Sequence, residues 1–154
     1  IRTGMASDWL LNDPFEIMRV MLCAARLKAG DYTALTSLEA LELATAGAAD
    51  VMGLGDGIGR ISAGYDADMI LVDLNQPHMQ PFYGTATSLV WHARASDITR
   101  SWVRGKPVLM DGQVGSLDES AALADLRARV DQLGDQIRSL GGIARTAACP
   151  CGGH

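Results

Sequence analysis

The feature that most constrains this chain is a change of texture near residue 57. Before it, apolar residues recur at helical spacing between well-marked caps. After it, short apolar runs are punctuated by glycine. A chain with helical spacing in one half and short strands in the other mixes the two element types, and its 154 residues fall well below the roughly 250 that a complete (β/α)₈ barrel needs. The expectation is therefore one domain, or one piece of a larger fold.

The first half reads as strand, loop and helices. Ile1 to Ser7 fits a short strand running into Asp8 and Trp9. Asp13 then caps a helix with Pro14 in its first position and Glu16 placed to close a capping box. Phe15, Met18, Leu22, Ala25 and Ala29 form one face of it, and Gly30 ends it. A second helix starts after Thr36, with Glu39 reaching back, and carries Leu38, Leu41, Thr45, Ala48, Ala49 and Met52 before Gly53 and Gly55. Its alanines imply close packing against a neighbour.

The second half reads as strands at Ile58 to Ile61, Met69 to Val72, Ser88 to Ala93 and Ile98 to Arg104. A hairpin through Gly105 and Lys106 then leads to Val108 to Met110, and Asp111 and Gly112 turn the chain into Val114. A last helix from Glu119 to Leu140 bears Leu123, Leu126, Val130, Leu133, Ile137 and Leu140, a narrow stripe of under three heptads that suits packing on its own protein better than a dimerising coil. Gly141 and Gly142 end it, and Ile143 to His154 reads as a flexible tail.

Composition excludes several classes of function. With 48% apolar and 20% charged residues the chain should bury a core. A net charge of −5 with singly scattered basic residues leaves nothing to neutralise a row of phosphates, so nucleic acid is not expected as a partner. The apolar runs fall far short of the roughly 20 residues that cross a bilayer, so no membrane is expected either. Three cysteines, Cys23, Cys149 and Cys151, make no disulfide framework and point to a reducing, cytoplasmic setting. No secretory leader opens the chain, and it starts on Ile1 rather than Met, from which we expect coding sequence upstream and a fragment of a longer protein.

The segment Ile58 to Leu74, IGRISAGYDADMILVDL, resembles the stretch by which metal-dependent amidohydrolases leave their barrel and enter a small β-sandwich. The placements of Gly64, Ala67, Asp68, Val72 and Asp73 carry that likeness. The preceding LTSLEALELATAGAADVMGL resembles the helix before it, and PHMQPFYGTATSLVWHARASDITRSWVRGKPVLMDGQV resembles the branch that holds S-adenosylhomocysteine deaminases, guanine deaminases and triazine hydrolases. In that family the eighth barrel strand ends in Gly-Thr-Asp or Gly-Ser-Asp, followed by an Asp and a helix with Glu-x-Met-Arg. The counterparts here are Ala6, Ser7 and Asp8, then Asp13, then Glu16, Ile17, Met18 and Arg19, with Ala6 departing from the usual glycine.

The resemblance implies an α/β fold, with the last strand and helix of a (β/α)₈ barrel over residues 1–57, the C-terminal share of a β-sandwich over 58–115, a C-terminal helix over 116–142 and a tail over 143–154. It also implies that Asp8 is both the catalytic and the metal-contacting residue. A carboxylate at a strand's C-terminal end can touch a divalent zinc or iron ion, accept the proton of the water that the ion activates, and pass it to a departing amine. The implied function is hydrolysis of a C–N bond, the deamination of a small nitrogen heterocycle. The family's other ligands, a His-x-His pair on the first strand and histidines on the fifth and sixth, have no counterpart here.

The three histidines do not replace them. His78, between Pro77 and Met79, and His92, expected on a sandwich strand, read as structural. Cys149, Cys151 and His154 read as tail residues rather than a soft-metal site. Gly53, Gly55, Gly57 and Gly59 follow a helix, not a strand, so they do not make a nucleotide loop. A different class of function stays open, a noncatalytic remnant or assembly module built on the strands and last helix, and so does homo-oligomerisation.

Overall fold

The computed structural model describes residues 2–7 and 12–139. The chain divides into two compact units, 1–115 and 116–154.

In the first unit, α1 (Pro14–Ala29) starts where the sequence places it. Asp13 Oδ1 accepts the backbone N–H of Phe15 at 2.8 Å and of Glu16 at 3.4 Å. Glu16 contributes that N–H and not the carboxylate expected to close a capping box. Gly30, at φ 63°, takes the left-handed turn that lets its N–H reach back to the last carbonyls. Phe15, Met18 and Leu22 are buried, while Ala29 at the end of the expected face is exposed.

The expected second helix is two, α2 (Ser37–Ala44) and α3 (Ala46–Val51), separated at Thr45, whose backbone leaves helical geometry at φ −119°, ψ −91°. The capping box at its start forms in full. Glu39 Oε2 accepts from Thr36 N at 2.7 Å and from Thr36 Oγ1 at 2.8 Å, while Glu39 N donates to Thr36 Oγ1 at 3.2 Å. The buried positions are Ala40 and Ala49, whereas Leu38 and Met52, expected on the inner face, are exposed.

Small residues explain the approach of backbone to backbone here. A Cβ on Gly4 would lie 2.7 Å from Ala48 Cα, and one on Gly59, at φ 89°, 2.8 Å from Ala49 Cβ. Thr3 and Gly4 therefore lie directly on α3, but residues 2–7 form no strand. The tie of this segment to the unit includes Met5 N donating to Leu43 O at 3.0 Å. A strand needs a ladder partner, and no described residue pairs with this segment.

The expected strand at Ile58 to Ile61 is a series of turns, with Ile61 exposed. Its first amide is engaged by a turn bond, Ile58 N donating to Leu54 O at 3.1 Å. The strands that do form are β1 (Met69–Val72), β2 (Ile98–Val103), β3 (Lys106–Met110) and β4 (Gln113–Val114), an antiparallel meander in that order. Two-residue turns join β2 to β3 and β3 to β4. In each, a residue at φ 49° (Arg104, Asp111) precedes a glycine with positive φ, the backbone that matches the strands' twist. This is one sheet, and the second layer of the expected sandwich is not formed among the described residues.

Residues Ser88 to Ala93, expected as a strand, fall instead in and just beyond α4 (Thr85–His92). The β-branched and aromatic run misleads because tertiary packing overrides propensity. Ser88 and Val90 are fully buried against the helical cluster, and Ser88 N donates to Gly84 O at 2.9 Å to open the first turn. The core consists of Phe15, Met18, Leu22, Ala40, Met79, Val90 and Ala93, with Val72, Leu74 and Ile98 packed on it from the sheet side.

The second unit contains α5 (Glu119–Ser139), capped by Asp118, whose Oδ1 accepts Ala121 N at 2.9 Å. Asp125 and Arg129 pair along it at 2.8 Å, an i,i+4 contact. Leu140, the expected stop at Gly141 and Gly142, and the tail lie outside the described residues.

Candidate functional site

Asp8 lies outside the described residues, as do Cys149, Cys151 and His154. What the structure describes is the frame on either side of Asp8 and the segment that this frame grips. Asp13, five residues on, uses both carboxylate oxygens. Oδ1 caps α1, and Oδ2 accepts the backbone N–H of Ala95 at 2.9 Å, across 82 residues of sequence. In the Glu-x-Met-Arg run, Glu16 is exposed, Met18 is core, and Arg19 directs one guanidinium nitrogen at two carbonyls, Val90 O at 3.1 Å and Ala93 O at 2.9 Å. These carbonyls end α4, where the helix leaves acceptors unpaired and a cation is favoured.

The gripped segment has its own lock. Ala95–Asp97 is a single 3₁₀ turn, and Asp97, 4% exposed, accepts Arg94 N at 2.8 Å and lies 2.8 Å from His78 Nε2 through the same Oδ2. His78 sits in a second 3₁₀ turn, Pro77–Met79, so this pair ties two loops together around Met79 in the core. His92 closes α4 rather than standing on a strand, with its ring 5.9 Å from that of Tyr83. The aspartates of the DADMILVDL stretch also serve the fold. Asp68 Oδ1 accepts Arg104 N at 2.6 Å beside the β2–β3 turn, and Asp73 accepts Asn75 N at 2.9 Å and Gln76 Nε2 at 2.7 Å. Those donors hold the Asp73 carboxyl below the usual aspartate range, the Asn75 amide contributing most.

The sequence offered little to identify these roles. Arg19 stands in a quoted motif, yet its partners lie 71 and 74 residues away. Asp97 has one local signal, its place three residues after Arg94, the spacing of a capping box.

A metal site is not built from what is described. Among the described residues no group of three or more His, Cys, Asp or Glu side chains is placed to hold an ion, and Cys23 is an exposed free thiol. A cleft lined by Arg2, Thr3, Asp50 and Asp56 offers carboxylates but neither histidine nor cysteine, and Asp50 is 3.7 Å from Arg60. The donor set that zinc or catalytic iron prefers is therefore not supplied by these residues.

Comparison with known proteins gives a consistent picture. The model of the Amidohydrolase family matches residues 1–108. A 5-methylthioadenosine/S-adenosylhomocysteine deaminase of Pelotomaculum thermopropionicum is 38% identical over 130 residues, 84% of this chain and 30% of the relative. A 5'-deoxyadenosine deaminase of Methanosarcina mazei is 32% identical over 136 residues, 88% of this chain and 31% of the relative. Among solved structures, an adenosine deaminase from Xanthomonas campestris with bound zinc superposes with a TM-score of 0.74 at 34% identity, covering 81% of this chain and 28% of its own. The chain thus spans about 30% of the length of the relatives it matches. No helix among the described residues is long and apolar enough to cross a membrane.

Proposed function

The chain belongs to the amidohydrolase family, and from that premise we propose that it forms part of an enzyme that deaminates a 6-aminopurine nucleoside by hydrolysis. The observation that carries this reading is the 38% identity to a 5-methylthioadenosine/S-adenosylhomocysteine deaminase across 84% of the chain. In this reading residues 1–57 complete the family's barrel, 58–115 belong to its sandwich, 116–142 are a terminal helix and 143–154 a tail. Sparse cysteine without a disulfide framework supports a cytoplasmic setting.

Asp8 is the chain's catalytic residue in this reading. Its carboxylate takes a proton from the attacking water as the new C–O bond forms at the amino-bearing ring carbon. It then returns that proton to the amine, which leaves as ammonia when the C–N bond breaks. Asp8 is also the residue of this chain that we assign as a contact to the family's divalent ion, zinc or iron. The remaining donors belong to parts of the enzyme beyond this chain.

The test is Asp8→Asn in the complete enzyme, with adenosine and 5'-methylthioadenosine as substrates followed by ultraviolet absorbance. The amide keeps the shape and removes the proton acceptor, so turnover should fall by roughly 10² to 10⁴. Activity within a few-fold of the parent removes Asp8 from the mechanism. Residues 1–154 alone should show no hydrolase activity, with or without added zinc.

A further inference from the structure

The geometry points to Asp13 as a positioning residue: its two carboxylate oxygens pin the start of α1, five residues past Asp8, to the turn between α4 and β2. This inference rests on the reading of Asp8 given above.

The first ground is chemical. A helix N-cap asks for one acceptor, and Ser, Thr or Asn would serve α1 about as well as Asp. The second oxygen is what those residues cannot offer, and here it is used, accepting Ala95 N at 2.9 Å while Oδ1 accepts Phe15 N at 2.8 Å. An asparagine in the same pose would turn an N–H donor towards one of these N–H groups, and a serine would not span both.

The second ground is that the anchor is stiff. Ala95 opens a 3₁₀ turn whose far end, Asp97, is 4% exposed and bonded to Arg94 N and His78. Arg19, one and a half turns further along α1, holds the carbonyls of Val90 and Ala93 just before the same turn. α1 is thus fixed to one segment at two points, Asp13 and Arg19, so neither its axial slide nor its rotation is free. Asp8 stands five residues before that fixed point at Asp13 in the sequence. Positioning at this level affects catalysis because a displacement of about 1 Å in a reacting group can cost on the order of a hundredfold in rate.

The experiment uses the complete enzyme and compares Asp13→Asn and Asp13→Ser, which both keep a cap for α1, with Thr36→Ala, which removes a cap from α2 far along the sequence. For each, kcat and KM are measured with 5'-methylthioadenosine. Thermal unfolding and hydrogen exchange across residues 93–97 are followed in parallel. Both Asp13 variants should lose on the order of tenfold to a hundredfold in kcat with KM within about twofold, and should exchange faster at 93–97. Thr36→Ala should lower the melting temperature at least as much and leave kcat unchanged.

Wild-type kcat in both Asp13 variants, with Asp8→Asn inactive, overturns the inference and leaves the reading of Asp8 intact. So does a loss of kcat in Thr36→Ala that tracks its melting temperature, which would make stability the cause. Full turnover in Asp8→Asn, or none in the unaltered enzyme, sinks the reading of Asp8 and this inference with it.

Discussion

Two leucines five residues apart on α1 offer a controlled test of where the core lies. Leu22 is 0% exposed and Leu27 is 84% exposed, so Leu22→Ala and Leu27→Ala make the same chemical change in the same helix with opposite burial. At Leu22 the change withdraws three carbons from contact with the buried cluster that includes Met18, Met79 and Val90. At ~0.8 kcal/mol per buried methylene the transfer cost alone is ~2.4 kcal/mol. The residual cavity adds to this, because a close-packed surround relaxes only partly, giving about 3 kcal/mol within the usual range of about 2–5. That is a large share of the roughly 5–15 kcal/mol that holds an ordinary domain together. At Leu27 little apolar area is lost and alanine is the better helix former, so the change should stay within ~0.5 kcal/mol. Urea unfolding of a chain of this sequence, followed by tryptophan fluorescence with m compared between variants, reads both values. A difference between the two variants below ~1 kcal/mol would refute the packing of α1 described here.

The pair between Asp97 and His78 should be unequal in its parts. Asp97→Ala strands the Arg94 N–H and His78 together and should cost about 2–4 kcal/mol, while His78→Ala, whose side chain is 27% exposed, should cost about 1, with a double-mutant cycle giving a favourable coupling. Zero coupling in the cycle would mean that the 2.8 Å contact contributes nothing to stability. The capping box of α2 predicts a pH dependence. The Thr36 amide first, and its hydroxyl second, hold the Glu39 carboxyl below the usual glutamate value, so its contribution is present above the unfolded pKa of about 4.3 and is lost as pH falls through the lower folded one. Wild type should therefore exceed Glu39→Gln in stability at pH 7 and lose that advantage progressively as pH falls below the unfolded value, and a gap that stays constant with pH contradicts the box. Asp31, lowered by the Thr33 hydroxyl and amide, and Asp73 titrate in both proteins and cancel in the comparison.

What could be read without the structure was local. Asp13-Pro14 and Thr36-x-x-Glu39 name their helix starts because the cap and the N–H groups it satisfies lie within three residues. Gly105 and Gly112 name their hairpin turns because only the backbone of the turn itself demands positive φ. The family was legible from motifs because the resemblance runs along the chain, and the proposal for Asp8 rests on that same resemblance.

The tertiary structure decided the rest. Ser88 to His92 carries strand-like residues yet lies in a helix, because its buried face meets α1 and α2 and its last carbonyls meet Arg19 from 71 and 74 residues away. Ile1 to Ser7 has the composition of a strand, but no described residue gives residues 2–7 a ladder, and pairing is a property of two segments rather than one. The second oxygen of Asp13 and the burial of Asp97 leave only a faint trace in the order of residues. Each depends on a donor brought close by packing, and packing energy is summed over the whole cluster before any single bond is made.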